Sequence, residues 1–395
     1  MMSNSFMHIL LRGDHPMKIF IPKEGDANEP RVPMIPTDVE KLVKLGAEVT
    51  CETGMGAACH YPDERYAGAG AKVIHDRAAG FAEADLVLRL RKPTTAEVEL
   101  LKPGTIHISY LDPFNSPELV KALAARGVKA LCMEMIPRST IAQKMDALSS
   151  QASLGGYVAV MLAANRLKRI FPMMMTPAGT IQPARVLIIG AGVAGLQAIA
   201  TAKRLGARVE AFDTRPAVAE QVRSLGARFV EIDLGETGQT KEGYAQALSE
   251  VQLQRQREGM AHVCAQADVI ITTAQVFGRR APLIVTREMV AGMKPGSVIV
   301  DMAVESGGNV EGSIPGQEVM LNGVRIIGIE NLPGQVAVDA SQMYSANLFN
   351  LVSHFWDKER GGFKLDLDDE IIQAALVTAE NEIRSTLLRN HYQSQ

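Results

Sequence analysis

The sequence of 395 residues predicts an α/β protein of two domains, each built on a parallel sheet. Three observations carry this. The chain is too long for one ordinary hydrophobic core. Short apolar runs alternate with amphipathic stretches, the pattern of strand–helix–strand units whose strands pair in parallel. The alternation comes in two series, separated by one long apolar stretch.

The first series starts at Met17 with the strand "KIFIPK". A helix follows over "TDVEKLVKLGA", with Thr37 as N-cap and a glycine stop. The runs "EVTCET", "AKVIH", "LVLRLR", "TIHISY" and "KALCME" then read as strands separated by helical segments. A long helix is expected over 148–170, and the Met-rich "FPMMM" after it reads as a packed interdomain turn. The second series is "RVLIIG", "RVEAFD", "ARFVEI", "DVIITTA", "SVIVDMA" and "VRIIGIE". The tail reads as mainly helical and too short for a third domain, so it should return to the first. The expected domains are 17–147 completed by 340–395, and 148–339. Inside the second, 233–260 shows little apolar periodicity at its start, and so long an irregular insertion points to a mobile loop.

Composition excludes several classes. With 22% charged residues and a formal net charge of −3, nothing marks a nucleic-acid partner. Cys51, Cys59, Cys132 and Cys264 form no CxxC and no paired metal spacing, so no metal site is expected and the thiols read as those of a reducing compartment. The first sixteen residues lack a basic n-region and a cleavage site, which argues against a signal peptide. Met17 is a plausible functional start. The apolar run 186–202 approaches membrane-span length but holds three glycines, so no span is expected and a cytoplasmic location follows.

"VLIIGAGVAGLQAIATAKRLGARVEAFDTR" carries the strongest chemistry. Gly190, Gly192 and Gly195 form G-x-G-x-x-G directly after a buried strand and at the start of a helix. Such glycines allow a tight turn, close approach of a pyrophosphate and close helix–strand packing, while the helix N-terminus supplies amide donors. Asp213 ends the next strand, where its carboxylate can accept from both adenosine ribose hydroxyls and repel a 2′-phosphate, favouring NAD over NADP. Arg215, two residues on, is the residue type that accommodates such a phosphate. Thr273 and Ala274 end a later strand on the same sheet edge, where such a backbone either lines the nicotinamide side or is a plain strand end. The expected folds are therefore two Rossmann-like domains.

A second stretch, "RSTIAQKMDALSSQ", places Arg138, Gln143, Asp146 and Ser149 just before and within the start of the long helix. Solvation of a surface loop would account for the same composition. Nor is there an evident base for NAD-linked oxidation of an alcohol or amine. The eight histidines are scattered, and His107 lies in a strand, where it reads as a core residue.

"MKIFIPKE…EPRVPMIP", "GAGVAGLQAIATAKRLGA", "SSQASLGGY", "PGSVIVDMAVESGGN" and "SANLFNL" together resemble the alanine dehydrogenase and nicotinamide nucleotide transhydrogenase superfamily, from Met17 to about Leu365. Two positions choose between its branches. Alanine dehydrogenases carry a substrate-binding lysine in V-K-V-K-E-P and a catalytic histidine in Y-L-H. The matching stretches here are "LRLRKP" and "YLDP", with Arg91 and Asp112 at those places. The resemblance therefore implies the transhydrogenase branch, with a free-standing amino-acid dehydrogenase as the alternative. It implies that Arg138, Gln143, Asp146 and Ser149 match an R-x-x-x-x-Q-x-x-D signature around the nicotinamide, with Gln143 bridging to a second nucleotide. It also implies that Gly243 and Tyr244 form the tip of a loop closing over bound nucleotide, with Gln256 a further contact. Val193, Asp213, Thr214 and Arg215 match the adenosine side, while Gln275 departs from the apolar residue usual there. NAD(H) would bind in the interdomain cleft and NADP(H) on a partner. The implied assembly is a homodimer docked on an NADP-binding beta subunit and a small membrane subunit, at the cytoplasmic face of a bacterial inner membrane.

Overall fold

The structure is a computed structural model describing residues 16–235, 237, 238, 246 and 248–394. The chain divides into two compact units, Met1–Ala147 with Ala337–Gln395, and Leu148–Val336.

The sheet of the first unit runs, edge to edge, Glu382–Ile383, Leu376–Ala379, Lys129–Cys132, Ile106–Ser109, Leu86–Leu88, Lys18–Ile21, Glu48–Glu52, Lys72–Ile74. The six strands before residue 133 are all parallel and lie in the order 3-2-1-4-5-6. That doubly wound order leaves a switch point between the first and fourth strands. Leu86, Val87 and Leu88 are buried in a row, as expected for a strand covered on both faces.

Three expectations change here. The first helix begins at Pro36 with Ile35 as its N-cap and no side-chain cap, so proline's fixed φ starts it in place of Thr37. The tail is not simply helical. After the Ala337–His354 helix it contributes Leu376–Ala379 and Glu382–Ile383, antiparallel strands that cover the edge beside Lys129–Cys132. The "FPMMM" stretch is no packed turn. Met174–Thr176 and Gly179–Ile181 form an isolated two-stranded hairpin, and Met173, Met174 and Met175 are 56%, 45% and 73% exposed.

The second unit has the same winding. Its sheet runs Arg228–Phe229, Arg208–Phe212, Arg185–Ile189, Val269–Thr272, Val298–Asp301, Val324–Gly328, Gln317–Leu321, with only the last strand antiparallel. Alternate side chains of the central strand enter opposite cores. Val186 and Ile188 pack with Ala198 and Val269, whereas Leu187 and Ile189 pack with Met260 and Ile270. The long helix Ala147–Arg166 is, among the described residues, the one helix long and apolar enough to cross a membrane, yet Val158, Ala159, Val160 and Ala163 lie in the first of those cores.

The irregular insertion is shorter than expected. A helix runs Glu250–Gln266, opened by a capping box in which Ser249 Oγ accepts from the Gln252 amide and the Gln252 side chain accepts from the Ser249 amide.

Candidate dinucleotide site

The site forms where the central strand of the second unit ends. Gly190 turns the chain with φ +95°, a conformation that disfavours side chains. A Cβ on Gly195 would lie 1.8 Å from the Gly190 carbonyl oxygen, so strand and helix can meet only without one. Around Gly192 the space is open. The Val193–Arg204 helix starts there with Gly192 as N-cap and no side-chain cap, leaving its first amides for an anion. Val193 opens the helix as an exposed apolar side chain.

Asp213 sits one strand over and is tied to this turn. Its Oδ2 accepts from the Ala191 amide at 2.8 Å and from Arg215 Nη2 at 2.7 Å. Its Oδ1 accepts from the Arg215 amide at 2.8 Å and Nε at 2.9 Å. The two side chains are only 6% and 13% exposed. The hydrogen bond to Asp213, supported by its charge, raises the Arg215 pKa above its ordinary range. A carboxylate offers about four acceptor positions, and the protein uses all of them. A further donor to Asp213 would have to displace one of these four. Thr214 is anchored through its carbonyl, which accepts from Thr237 Oγ1 at 2.6 Å.

On the other side, Thr273 Oγ1 donates to the Gly190 carbonyl at 2.9 Å, and the Thr273 amide donates to that of Ile189. Ala274 is held through both its amide and its carbonyl by the side chain of Asn309. Gln275 is exposed and donates from Nε2 to the Met302 carbonyl at 3.1 Å. One sheet edge thus gathers Gly190, Gly192, Val193, Gly195, Asp213, Thr214, Arg215, Thr273, Ala274 and Gln275. Asp301 and Asn309, which the sequence alone does not single out, brace this edge through Thr272 and Ala274. The glycine pair before Asn309, with φ +107° and +79°, was the available sign of a built turn.

The other expected residues lie on other elements. Gln256 is buried on the Glu250–Gln266 helix beside Met260. Gly243 and Tyr244 lie outside the described residues. Ser149 is in the first turn of the Ala147–Arg166 helix. Arg138, Gln143 and Asp146 belong to the first unit. Arg138 and Gln143 are exposed, and a short helical turn, Ala142–Met145, carries Gln143. The Lys144 carbonyl accepts from Asn347 and Asn350, which pins that turn to the Ala337–His354 helix.

At the first unit's switch point the strand ends carry ions already paired with one another. Arg89 bridges Glu24 and Glu97, with Arg77 joining Glu52 to Glu97. Burial pushes Glu97 up, but Arg89 and Arg77 outweigh it and hold the carboxyl at about 2. Buried Glu29 accepts from Arg31 Nε and Nη2 and from Arg91 Nε, at 2.6–2.7 Å. Asp112 pairs with Lys92 at 3.0 Å. His107 is fully buried with Nε2 against Ser109 Oγ, and burial together with Arg89 lowers its pKa to about 3.

Residues 20–155 match the family described as Alanine dehydrogenase/PNT, N-terminal domain, and residues 159–386 its C-terminal domain. An NAD(P) transhydrogenase subunit alpha chain of Rhodospirillum rubrum is 45% identical over 374 residues, covering 93% of this chain and 97% of that one. The alanine dehydrogenase of Bacillus subtilis is 29% identical over 377 residues, covering 93% and 92%. A solved transhydrogenase structure from Sinorhizobium meliloti superimposes with a TM-score of 0.83 at 43% identity, covering 93% of this chain and 99% of that one.

Proposed function

The chain belongs to the alanine dehydrogenase/PNT family, and we propose that within it the chain is the NAD(H)-binding alpha subunit of a proton-translocating NAD(P) transhydrogenase. The family is NAD(H)-binding, and transhydrogenase alpha subunits resemble this chain more than alanine dehydrogenases do. The observation that carries the reading is the state of Arg91 and Asp112. Dehydrogenating an amino acid needs a group that binds its carboxylate and another that accepts a proton. At the positions matching those groups, Arg91 is committed to buried Glu29 and Asp112 to Lys92. Hydride passing from one nicotinamide C4 to another moves no proton at the reacting carbons. NADH is oxidised to NAD⁺ as NADP⁺ is reduced to NADPH, and positioning is what the protein must supply.

In this reading the adenosine ribose lies on Asp213, Thr214 and Arg215, and the pyrophosphate on Gly190, Gly192, Val193 and Gly195. The nicotinamide lies toward Thr273, Ala274 and Gln275. Arg138, Gln143, Asp146 and Ser149 surround that ring, and Gln256 supplies a further contact from the Glu250–Gln266 helix. NADP(H) sits on a beta subunit, and a small membrane subunit completes a complex at the cytoplasmic face of the inner membrane. The chain is also proposed to be a homodimer. A hairpin of two three-residue strands is marginal alone, and its exposed methionines are a face that a second copy can cover.

Mixing the chain with the NADP-binding subunit and following transfer from NADPH to an NAD analogue tests the function. Transfer that requires both components is expected. Pyruvate- and ammonia-dependent oxidation of NADH by the chain alone would make it a dehydrogenase instead. Sedimentation of the wild type and of Met175→Glu reads the assembly: a dimer weakened in the variant is expected, and a wild-type monomer refutes it.

A further inference from the structure

We infer that Asn309 is a positioning residue for the nicotinamide half of the bound dinucleotide, an inference that rests on the NAD(H) reading above. A dinucleotide crosses a doubly wound sheet at the switch point, one mononucleotide half on each side of it. Asp213 occupies the adenosine side, beyond the Arg208–Phe212 strand. The other half must then lie over the ends of Val269–Thr272 and Val298–Asp301. The first backbone past Val269–Thr272 is Thr273–Ala274–Gln275, and Asn309 holds it.

The hold is complete. Asn309 Oδ1 accepts from the Ala274 amide at 3.1 Å, and Nδ2 donates to the carbonyls of Ala274 at 2.9 Å and Pro282 at 2.8 Å. Its own amide donates to both oxygens of Asp301, at 3.2 and 3.1 Å, and its carbonyl accepts from Ile284 and Val285. Asp301 is fixed in turn by the Thr272 hydroxyl and the amides of Ala303 and Val310. Both residues are fully buried. Every polar group of Asn309 is therefore used inside the fold, and none remains to touch a nucleotide. Its effect must pass through Ala274, whose neighbour Thr273 bonds to the Gly190 carbonyl. One amide side chain thus links the strand on the nicotinamide side to the glycine turn.

The residue type is demanded by the chemistry. Only a primary amide of this length offers one acceptor and two donors to an amide and two carbonyls. A carboxylate in its place faces two carbonyl oxygens with no proton to give, and a serine is too short to reach all three.

The test uses Asn309→Asp and the milder Asn309→Ser, each in the full chain. Titration with NADH is compared with titration by ADP-ribose, which lacks the nicotinamide, and hydride transfer is measured with the NADP-binding subunit. ADP-ribose affinity should stay within about twofold, as for a change that leaves its contacts intact. NADH should bind with altered nicotinamide fluorescence, and transfer should fall by about a hundredfold, since small displacements at a reacting centre cost that much. Wild-type fluorescence and transfer in both variants overturn the inference. So does an equal loss of NADH and ADP-ribose affinity, or failure of both variants to fold, because either makes Asn309 a residue of general stability. If the wild type transfers no hydride with the partner, the functional reading fails, while the contrast between NADH and ADP-ribose still decides the role of Asn309.

Discussion

The two units wind their first five strands in the same order but finish the switch point in opposite ways. In the second, the central strand ends in Gly190 and an uncapped helix, leaving open space at Gly192. In the first, the central strand ends in Pro22, Lys23 and Glu24, and the space is taken by Glu24–Arg89–Glu97 and by Glu29 between Arg31 and Arg91. Topology creates a crevice in both. Side-chain volume and charge decide whether a ligand or the protein itself fills it. Glycine gives up side-chain contacts to leave backbone donors accessible, whereas paired ions satisfy one another and close the edge.

The proposed function puts nucleotide binding on the second unit in keeping with that difference, so a first-unit residue that governs transfer sharpens it most. Gln143→Asn shortens an exposed side chain by one methylene. A residue that merely solvates a loop should change matters by no more than about 0.5 kcal/mol. If Gln143 aligns two nicotinamides, hydride transfer should fall by about a hundredfold while NADH binding stays nearly intact. Transfer assays with the NADP-binding subunit, beside an NADH titration, separate these outcomes. Wild-type rates would leave Gln143 without a role in the chemistry.

Asp213→Asn carries the next largest effect and probes the open edge. The substitution removes the charged acceptor proposed for the ribose hydroxyls and leaves Arg215 without its anion. NADH affinity should fall by about 1–3 kcal/mol, the range for losing a charged hydrogen-bond partner. Discrimination against NADPH should fall with it. Unchanged affinity for both in a calorimetric titration would mean that Asp213 serves only to hold Arg215 and Ala191.

Much of the open edge was legible because backbone sterics leave little choice there. A turn at φ +95° and a helix so close that a Cβ would sit 1.8 Å from a carbonyl oxygen both require glycine, and glycine is visible in one dimension. Asp213 was legible as an acidic strand end, but its pairing with Arg215 depends on how the intervening backbone turns. Asn309 was hidden for a stronger reason. A lone asparagine says nothing until Val269–Thr272 and Val298–Asp301 are paired and Ala274 arrives beside it. In the tail, "LVTA" is too short for periodicity to distinguish strand from helix, and what makes it a strand is the free edge beside Lys129–Cys132. The methionines of the hairpin misled because apolar runs usually read as buried, whereas a hairpin exposes both faces.

The smallest effect probes the closed edge. His107 lies within the field of Arg89, and burial and that charge hold it neutral in the fold down to about pH 3. In the unfolded chain a histidine takes up its proton near pH 6.5. Between those values the unfolded state binds a proton that the folded state refuses, so acidification destabilises the fold. The loss approaches about 1.4 kcal/mol per pH unit. Glu97, held at about 2 against an ordinary 4.5, also loses stabilisation on acidification, but in a lower window, as pH falls from 4.5 toward 2. Buried Glu134, whose carboxyl burial pushes up, acts in the opposite sense above pH 4.5, so the histidine is read between pH 6.5 and 4.5 as the difference between the wild type and a variant that lacks it. His107→Leu should flatten the acid side of the stability profile in that window and leave the loss below it in place. An unchanged slope would mean that water reaches His107 and that the paired ions do not seal the first unit's edge.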